Sequence, residues 1–419
     1  MKEITMSDMH INNIKKWKLN DSVKQKVEEM SFGFLVMLRE KLLNIEKDLS
    51  LPLNFVSALV STYNVEDSCF TFGNGADKFH LDFGLDDILY LTGLPINGMP
   101  VSGMIHEDNV QLLETHLALS KPVAEDFLTI NSKQGMTSGV DLRKLLAHFH
   151  KPEIIDEVDV GILAKAFIFY GLGYVLLPIW TSVGQPHYLP LLGEEIKKYA
   201  WGAAVLAHIK GDLDDIVRSQ AKSSISCFSL ALTIFALERF PILTRELVLD
   251  LPTKVPLSLG WIDMIVNHFR PKSSKRKSYA ELEGNFNNMS VEEINWMPYN
   301  RVKVSRDFED QLRLRYVVAP CINFYSAYMV RPDICYRQLG LAQEEVKSIE
   351  IPNKLLLKPS ALKGIDLRSY VGGETGPKKK KVYTYPQLHE MWANRFTQSI
   401  IALPDEVLKY LLLFFFFKI

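Results

Sequence analysis

Three long apolar segments, residues 160–177, 194–210 and 223–240, constrain what this chain can fold into more than any other feature. A helix that is apolar on most of its circumference needs neighbours on several sides, so these segments must either share one large core or enter a membrane. The first and third approach the roughly 20 apolar residues of a bilayer span. Lys165 interrupts the first, serines open the third, Glu238 and Arg239 close it, and the flanking charge asymmetry that orients membrane helices is missing. The expectation is a mainly α-helical protein with buried central helices and no membrane partner.

The surrounding segments fit that core. Val23, Val27, Met30, Phe34, Leu38, Leu42, Ile45 and Leu49 recur at three- and four-residue steps and predict one long amphipathic helix over 22–49, with Ser22 and Gln25 as its capping box. CFTFGNGADKFHLDF predicts a small β-hairpin near residues 69–82 around the Asn74-Gly75 turn signal. A short helix over 85–92 follows, stopped by Gly93 and Pro95, and another is expected over 141–150. The chain turns polar and basic over 271–290, apolar again over 316–329, and then reaches the linker VGGETGPKKKKVYTYP and a helix over 388–396. We divide it into an extension (1–29), a core (30–345), and a tail (346–419) with a basic linker and C-terminal helix that completes the same domain.

Charge and motif content exclude several function classes. Lys and Arg number 48 against 49 Asp and Glu, so no global field draws in nucleic acid or an anionic membrane. The four cysteines form no CxxC pair, which suggests neither a zinc framework nor disulfides, and the polar, acidic start MKEITMSDMH points to cytosol or nucleus. No GxxxxGK[ST] loop or GxSxG elbow is present, and Gly73-Asn74-Gly75 lacks the third glycine and the helix of a dinucleotide loop. His148 and His150 point to different faces of a helix and cannot chelate one metal together. Asp212, Asp214 and Asp215, like Asp86 and Asp87, read as solvated helix starts rather than as a metal or recombinase cluster. Catalytic residues, cofactor and metal are therefore all assigned as none.

Three ordered blocks carry a family resemblance. They are KFHLDFGLDDILYLTGLPINGMPVSG at 78–103, HYLPLLGEEIKKYAWGAAVLAHIKGDL at 187–213, and WMPY at 296–299 joined to RPDICYRQLGLAQ at 331–343. Together they resemble the plant mobile domain, also labelled aminotransferase-like or MAIN-like, over roughly residues 30–400. Leu339 stands where that family usually has phenylalanine, and Ser326-Ala327-Tyr328 where it often has a Val-Glu-Tyr or Val-Glu-His element. The aminotransferase label would require pyridoxal phosphate on an α/β scaffold, and no alternation of strand and helix supports one. The resemblance implies a nuclear protein acting through partners in meristem maintenance, genome stability or transposon silencing. One implied partner is a phosphatase-like protein of the serine/threonine phosphatase family.

Two groups of residues follow from this reading. Lys378, Lys379, Lys380 and Lys381 follow Pro377 and resemble a single-cluster nuclear localisation signal; a solvated linker run is the structural alternative. The motif residues are Phe79, His80, Gly93, Leu94, Pro95, Gly98, Tyr199, Trp201, Gly202, Trp296, Arg331, Arg337, Gln338 and Gly340. Packing takes priority over partner contact for this group. Tyr199 and Trp201 pack, Gly202 permits close helix approach, Gly93 and Gly98 serve turns, and the two arginines hold carboxylates. The second basic group, Lys275 to Lys277, offers only weak, salt-sensitive contact with nucleic acid, which keeps a transposon-derived DNA-binding accessory as the alternative function.

Overall fold

A computed structural model describes residues 5–6, 9–131, 136–151, 158–179, 182–219, 224–245, 247, 249–269, 278–324, 326–338, 363–370 and 384–398. The architecture is mainly α, with only small sheets of two or three strands among the described residues. Lys378 to Lys381, Leu339, Gly340 and Lys275 to Lys277 lie outside them, as does the side chain of Arg337.

The predicted long N-terminal helix is two helices, α1 (Asp21–Glu29) and α2 (Gly33–Leu43). Asn20, not Ser22, caps α1 by accepting from Val23 N. The break falls at Ser31, which adopts φ +64°. Ser31 N donates to Glu28 O and Phe32 N to Val27 O, the paired bonds of a Schellman ending, and Phe32 and Val27 are both fully buried. Periodicity runs straight through this break because serine stands where glycine would have signalled it.

After α3 (Leu53–Ser61) the chain forms an antiparallel sheet of β1 (Tyr63–Asn64), β2 (Cys69–Phe72) and β3 (Phe79–Leu81), with Thr71 opposite His80. The expected hairpin is there, widened by one short strand. Helix α4 (Leu85–Thr92) has the expected bounds, and Gly93 ends it at φ +70°. Helix α5 (Leu142–Phe149) also sits where its apolar spacing placed it.

The three apolar segments form the centre. Helix α6 (Val160–Gly171) continues into a π-helical turn, Leu172–Leu176, and is buried along nearly its whole length. Helix α7 (Trp201–Arg218) starts seven residues later than expected, after a 3-10 turn at Ile196–Lys198. Its entry is pinned by the loop after α4, because Met99 N donates to Lys198 O (2.6 Å) and Ala200 N to Met99 O (2.8 Å). Helix α8 (Ser229–Arg239) begins late for a different reason: Ser226 N and Cys227 N are already bonded to Asp212. Helices α9 (Leu257–His268) and α10 (Tyr279–Asn287), with the hairpin of β4 (Ala319–Asn323) and β5 (Ser326–Val330), close one contiguous core around α7. Helix α11 (Pro332–Gln338) then lies beside β3. No helix among the described residues is long and apolar enough to cross a membrane.

The tail packs back onto this core. Ile365–Asp366 pairs antiparallel with Met104–Ile105, and α12 (Tyr385–Ala393) rests against β4 with Trp392 Nε1 donating to Gly98 O at 2.8 Å.

Candidate functional site

Glu238 and Arg239, at the end of the otherwise apolar α8, organise the most polar part of the interior. Glu238 Oε1 accepts from Trp261 Nε1 (2.6 Å), while Oε2 accepts from Arg301 Nη1 (2.9 Å). Arg239 turns the other way, donating from Nη2 to Asp87 Oδ1 (2.9 Å) and from Nη1 to Trp296 O (3.1 Å). Asp87 also accepts from the Tyr299 hydroxyl at 2.6 Å and from Gly84 N at 2.8 Å. Burial opposes the charge on Arg239, yet Asp87, Tyr299 and Asp86 together raise its pKa above the usual guanidinium value. Burial, and then Asp87, push the Tyr299 hydroxyl well above the ordinary phenol range. Asp87, Arg239 and Tyr299 are buried and bonded to one another, so removing one partner strands the others.

Asp212, Asp214 and the Asp86-Asp87 pair correct the solvated reading. Asp86 and Asp87 do lie in the first turn of a helix, but Asp87 is 1% exposed. Asp212 and Asp214 lie in the second half of α7, both buried. The first holds Ser226 and Cys227, and the second accepts from Arg218 Nε at 2.7 Å. Helix α7 runs on through Gly211, so these residues lie inside it and not at a helix start.

Above the Asp87–Arg239–Tyr299 network opens a cavity of about 190 Å³, lined by Asp86, Tyr90, Trp296, Tyr299, Arg315 and Tyr316 among others. Tyr90 stacks on Tyr299 with ring centroids 4.4 Å apart. The Arg315 guanidinium lies over the Tyr316 ring at 4.8 Å. Burial and the neighbouring Asp87 push the Asp86 carboxyl up to about 6, although Arg239 and Arg315 act to lower it. Concave, ring-lined cavities with a few converging polar groups are the usual form of a recognition site.

Many of the motif residues meet one another in the fold, and Trp296 also lines the cavity. Gly98 takes φ +139°, and a Cβ there would lie 2.5 Å from Lys198 O. A Cβ on Gly202 would meet Ile96 Cγ2 at 2.8 Å and the carbonyl oxygens of Leu94 and Pro95 at 3.1 Å; Gly202 N donates to Pro95 O at 2.7 Å. The first two sequence blocks are therefore in direct backbone contact. Trp201 is fully buried with Nε1 bonded to Ile196 O (3.0 Å), and half-buried Tyr199 packs its ring near it. In the third block, Gln338 brackets the backbone of His80, accepting from His80 N at 2.7 Å and donating to His80 O. Arg331 forms a two-pronged pair with Asp333, both contacts at 2.8 Å. Phe79 packs on Phe72 and Trp296.

Sequence reasoning missed Arg239, Glu238 and Arg301; the available signal was a charged Glu-Arg pair closing an apolar helix. It also missed a trio on the hairpin, Asp67, Cys69 and His80, whose ligand atoms lie within 4.8 Å of one another. Among the described residues His148 and His150 join no ligand cluster: His148 stands against the Phe127 ring, and His150 Nε2 accepts from Lys18 N.

The sequence model of the plant mobile domain matches residues 33–358. Among curated proteins, the chain is similar to three from Arabidopsis thaliana. It is 26% identical to Protein MAIN-LIKE 2 over 80% of this chain and 47% of that protein, and 25% identical to Protein MAIN-LIKE 1 over 80% and 61%. It is 24% identical to Protein MAINTENANCE OF MERISTEMS over 78% and 63%. The chain thus spans about half to just under two thirds of the length of these relatives. No solved structure matches it. With a match over most of its length and the three sequence blocks assembled around one core, the chain belongs to the plant mobile domain family.

Proposed function

We propose that this chain is a non-catalytic nuclear interaction module that works with other proteins in transposon silencing, genome stability or meristem maintenance. The observation that carries this reading is the cavity over the Asp87–Arg239–Tyr299 network. Asp87 and Arg239 are paired with one another, and the open space is lined by rings together with the Asp86 carboxyl and the Arg315 guanidinium. Such a surface suits a partner side chain better than bond making, which needs a nucleophile within reach of a base. The name of one relative, MAINTENANCE OF MERISTEMS, supports the developmental part of the proposal. Nuclear entry is assigned to Lys378 to Lys381.

The test is co-purification from plant nuclei of the tagged chain beside a variant with Lys378 to Lys381 changed to alanine. Nuclear recovery of the wild type with protein partners, among them one of the serine/threonine phosphatase family, and loss of both in the variant, is the expected result. Equal recovery of both forms from cytosol without a partner would overturn it, as would turnover of a small substrate by the purified protein. DNA affinity falling steeply with salt would favour the DNA-binding accessory instead.

A further inference from the structure

The β2–β3 ribbon carries side chains that the cavity does not use. Cys69 and Thr71 are two residues apart on one strand and so share a face, and His80 lies directly opposite Thr71 on the next. Asp67 sits at the turn that leads into β2, its carboxylate oriented by Asn64 Nδ2 at 2.9 Å. Cys69 Sγ is 3.6 Å from His80 Nδ1. Zinc bonds of about 2.3 Å to sulfur and 2.0–2.1 Å to nitrogen, at a tetrahedral angle, place those two atoms about 3.6 Å apart. We propose that Asp67, Cys69 and His80 bind one zinc-class divalent cation, with the fourth position left to water.

Charge, access and support agree with this assignment. Among the described residues, the carboxylates of Asp67, Asp82 and Asp333 stand with the cations Lys210 and Arg331, which leaves one negative charge in excess. A divalent ion that displaces the Cys69 thiol proton to solvent restores neutrality. Cys69 is 1% exposed, but Asp67 and His80 are half-exposed and open the site to solvent. The backbone holding the donors is itself tied down. Lys210 Nζ donates to Ser68 O at 2.8 Å, between the first two donors, and Gln338 brackets His80. Such outer contacts orient metal ligands. A thiolate, an imidazole and a carboxylate form a borderline-soft set that suits zinc or cobalt over magnesium or calcium.

This inference stands apart from the proposed function, and neither falls with the other. The full chain, stripped with chelator, is titrated with cobalt chloride and then with zinc chloride. The wild type is expected to take up one cobalt with a sulfur-to-cobalt charge-transfer band and the visible bands of a tetrahedral ion, and one zinc should abolish both. Cys69→Ser should lose the sulfur band, while His80→Gln and Asp67→Asn should weaken binding about tenfold or more. A wild type without the sulfur band overturns the proposal, as does a Cys69→Ser protein that keeps it. If Cys69→Ser does not fold, Asp67→Asn decides, because it keeps the side-chain shape at a half-exposed position. Wild-type affinity in that variant would remove the three-donor site.

Discussion

Asp86 shows how much one side chain depends on its surroundings. The sequence places it correctly in the first turn of α4, where a carboxylate ordinarily favours the helix. Folding instead sets it half-buried at the cavity wall beside Asp87, and its carboxyl rises from 3.8 to about 6. Between those two values the folded protein holds a proton that the unfolded chain has lost. The contribution of Asp86 to stability therefore falls as pH rises from about 4 to 6 and stays low above that. Removing the charge should reverse this cost. Asp86→Asn is expected to be more stable than wild type at pH 7 by on the order of 1 kcal/mol, partial exposure holding the figure down, with the difference fading towards pH 4. Urea unfolding of both proteins across that range checks it, and a variant less stable at pH 7 would contradict the account. Asp87, next in sequence, has the opposite fate: beside the local Gly84 N, its donors Arg239 and Tyr299 were brought from α8 and from the segment after α10.

At the scale of elements, local rules succeeded wherever the signal was local. Gly93 stops α4 and the Asn74-Gly75 turn lies between two paired strands, because backbone sign and strand alternation are decided within a few residues. They failed at Ser31, where α1 ends with a serine in the left-handed region. That conformation crowds the Cβ of any L-residue. Ser31→Gly is accordingly expected to stabilise the protein by about 1 kcal/mol, seen as a higher urea midpoint with unchanged slope. A lower midpoint would mean that the serine is held by something beyond the Schellman bonds. The late starts of α7 and α8 come instead from tertiary contacts, since Met99 and Asp212 claim backbone groups that a longer helix would have used.

For the whole molecule, the main result is that the described tail residues, 363–370 and 384–398, pack against the core. Trp392 is 2% exposed, bonds Gly98 O, and sits beside Arg395, whose guanidinium stacks on its ring at 4.6 Å. Arg395 also reaches Asn97, so α12 braces the turn that in turn admits α7. Trp392→Ala is expected to cost about 3–5 kcal/mol in a single cooperative transition. An early separate transition, leaving the main midpoint in place, would show that the segment folds independently.

What the amino-acid sequence determined by itself was the mainly α class, the central apolar segments, the hairpin and the family. Each of these rests on periodicity, turn chemistry or ordered motifs that can be read within one stretch of chain. The tertiary structure alone decided which polar residues matter together. Asp87 finds Arg239 across 152 residues and Tyr299 across 212, and Gln338 reaches His80 across 258. At such separations no local pattern encodes the pairing; it arises because packing the apolar helices around α7 leaves those few buried charges no other partners.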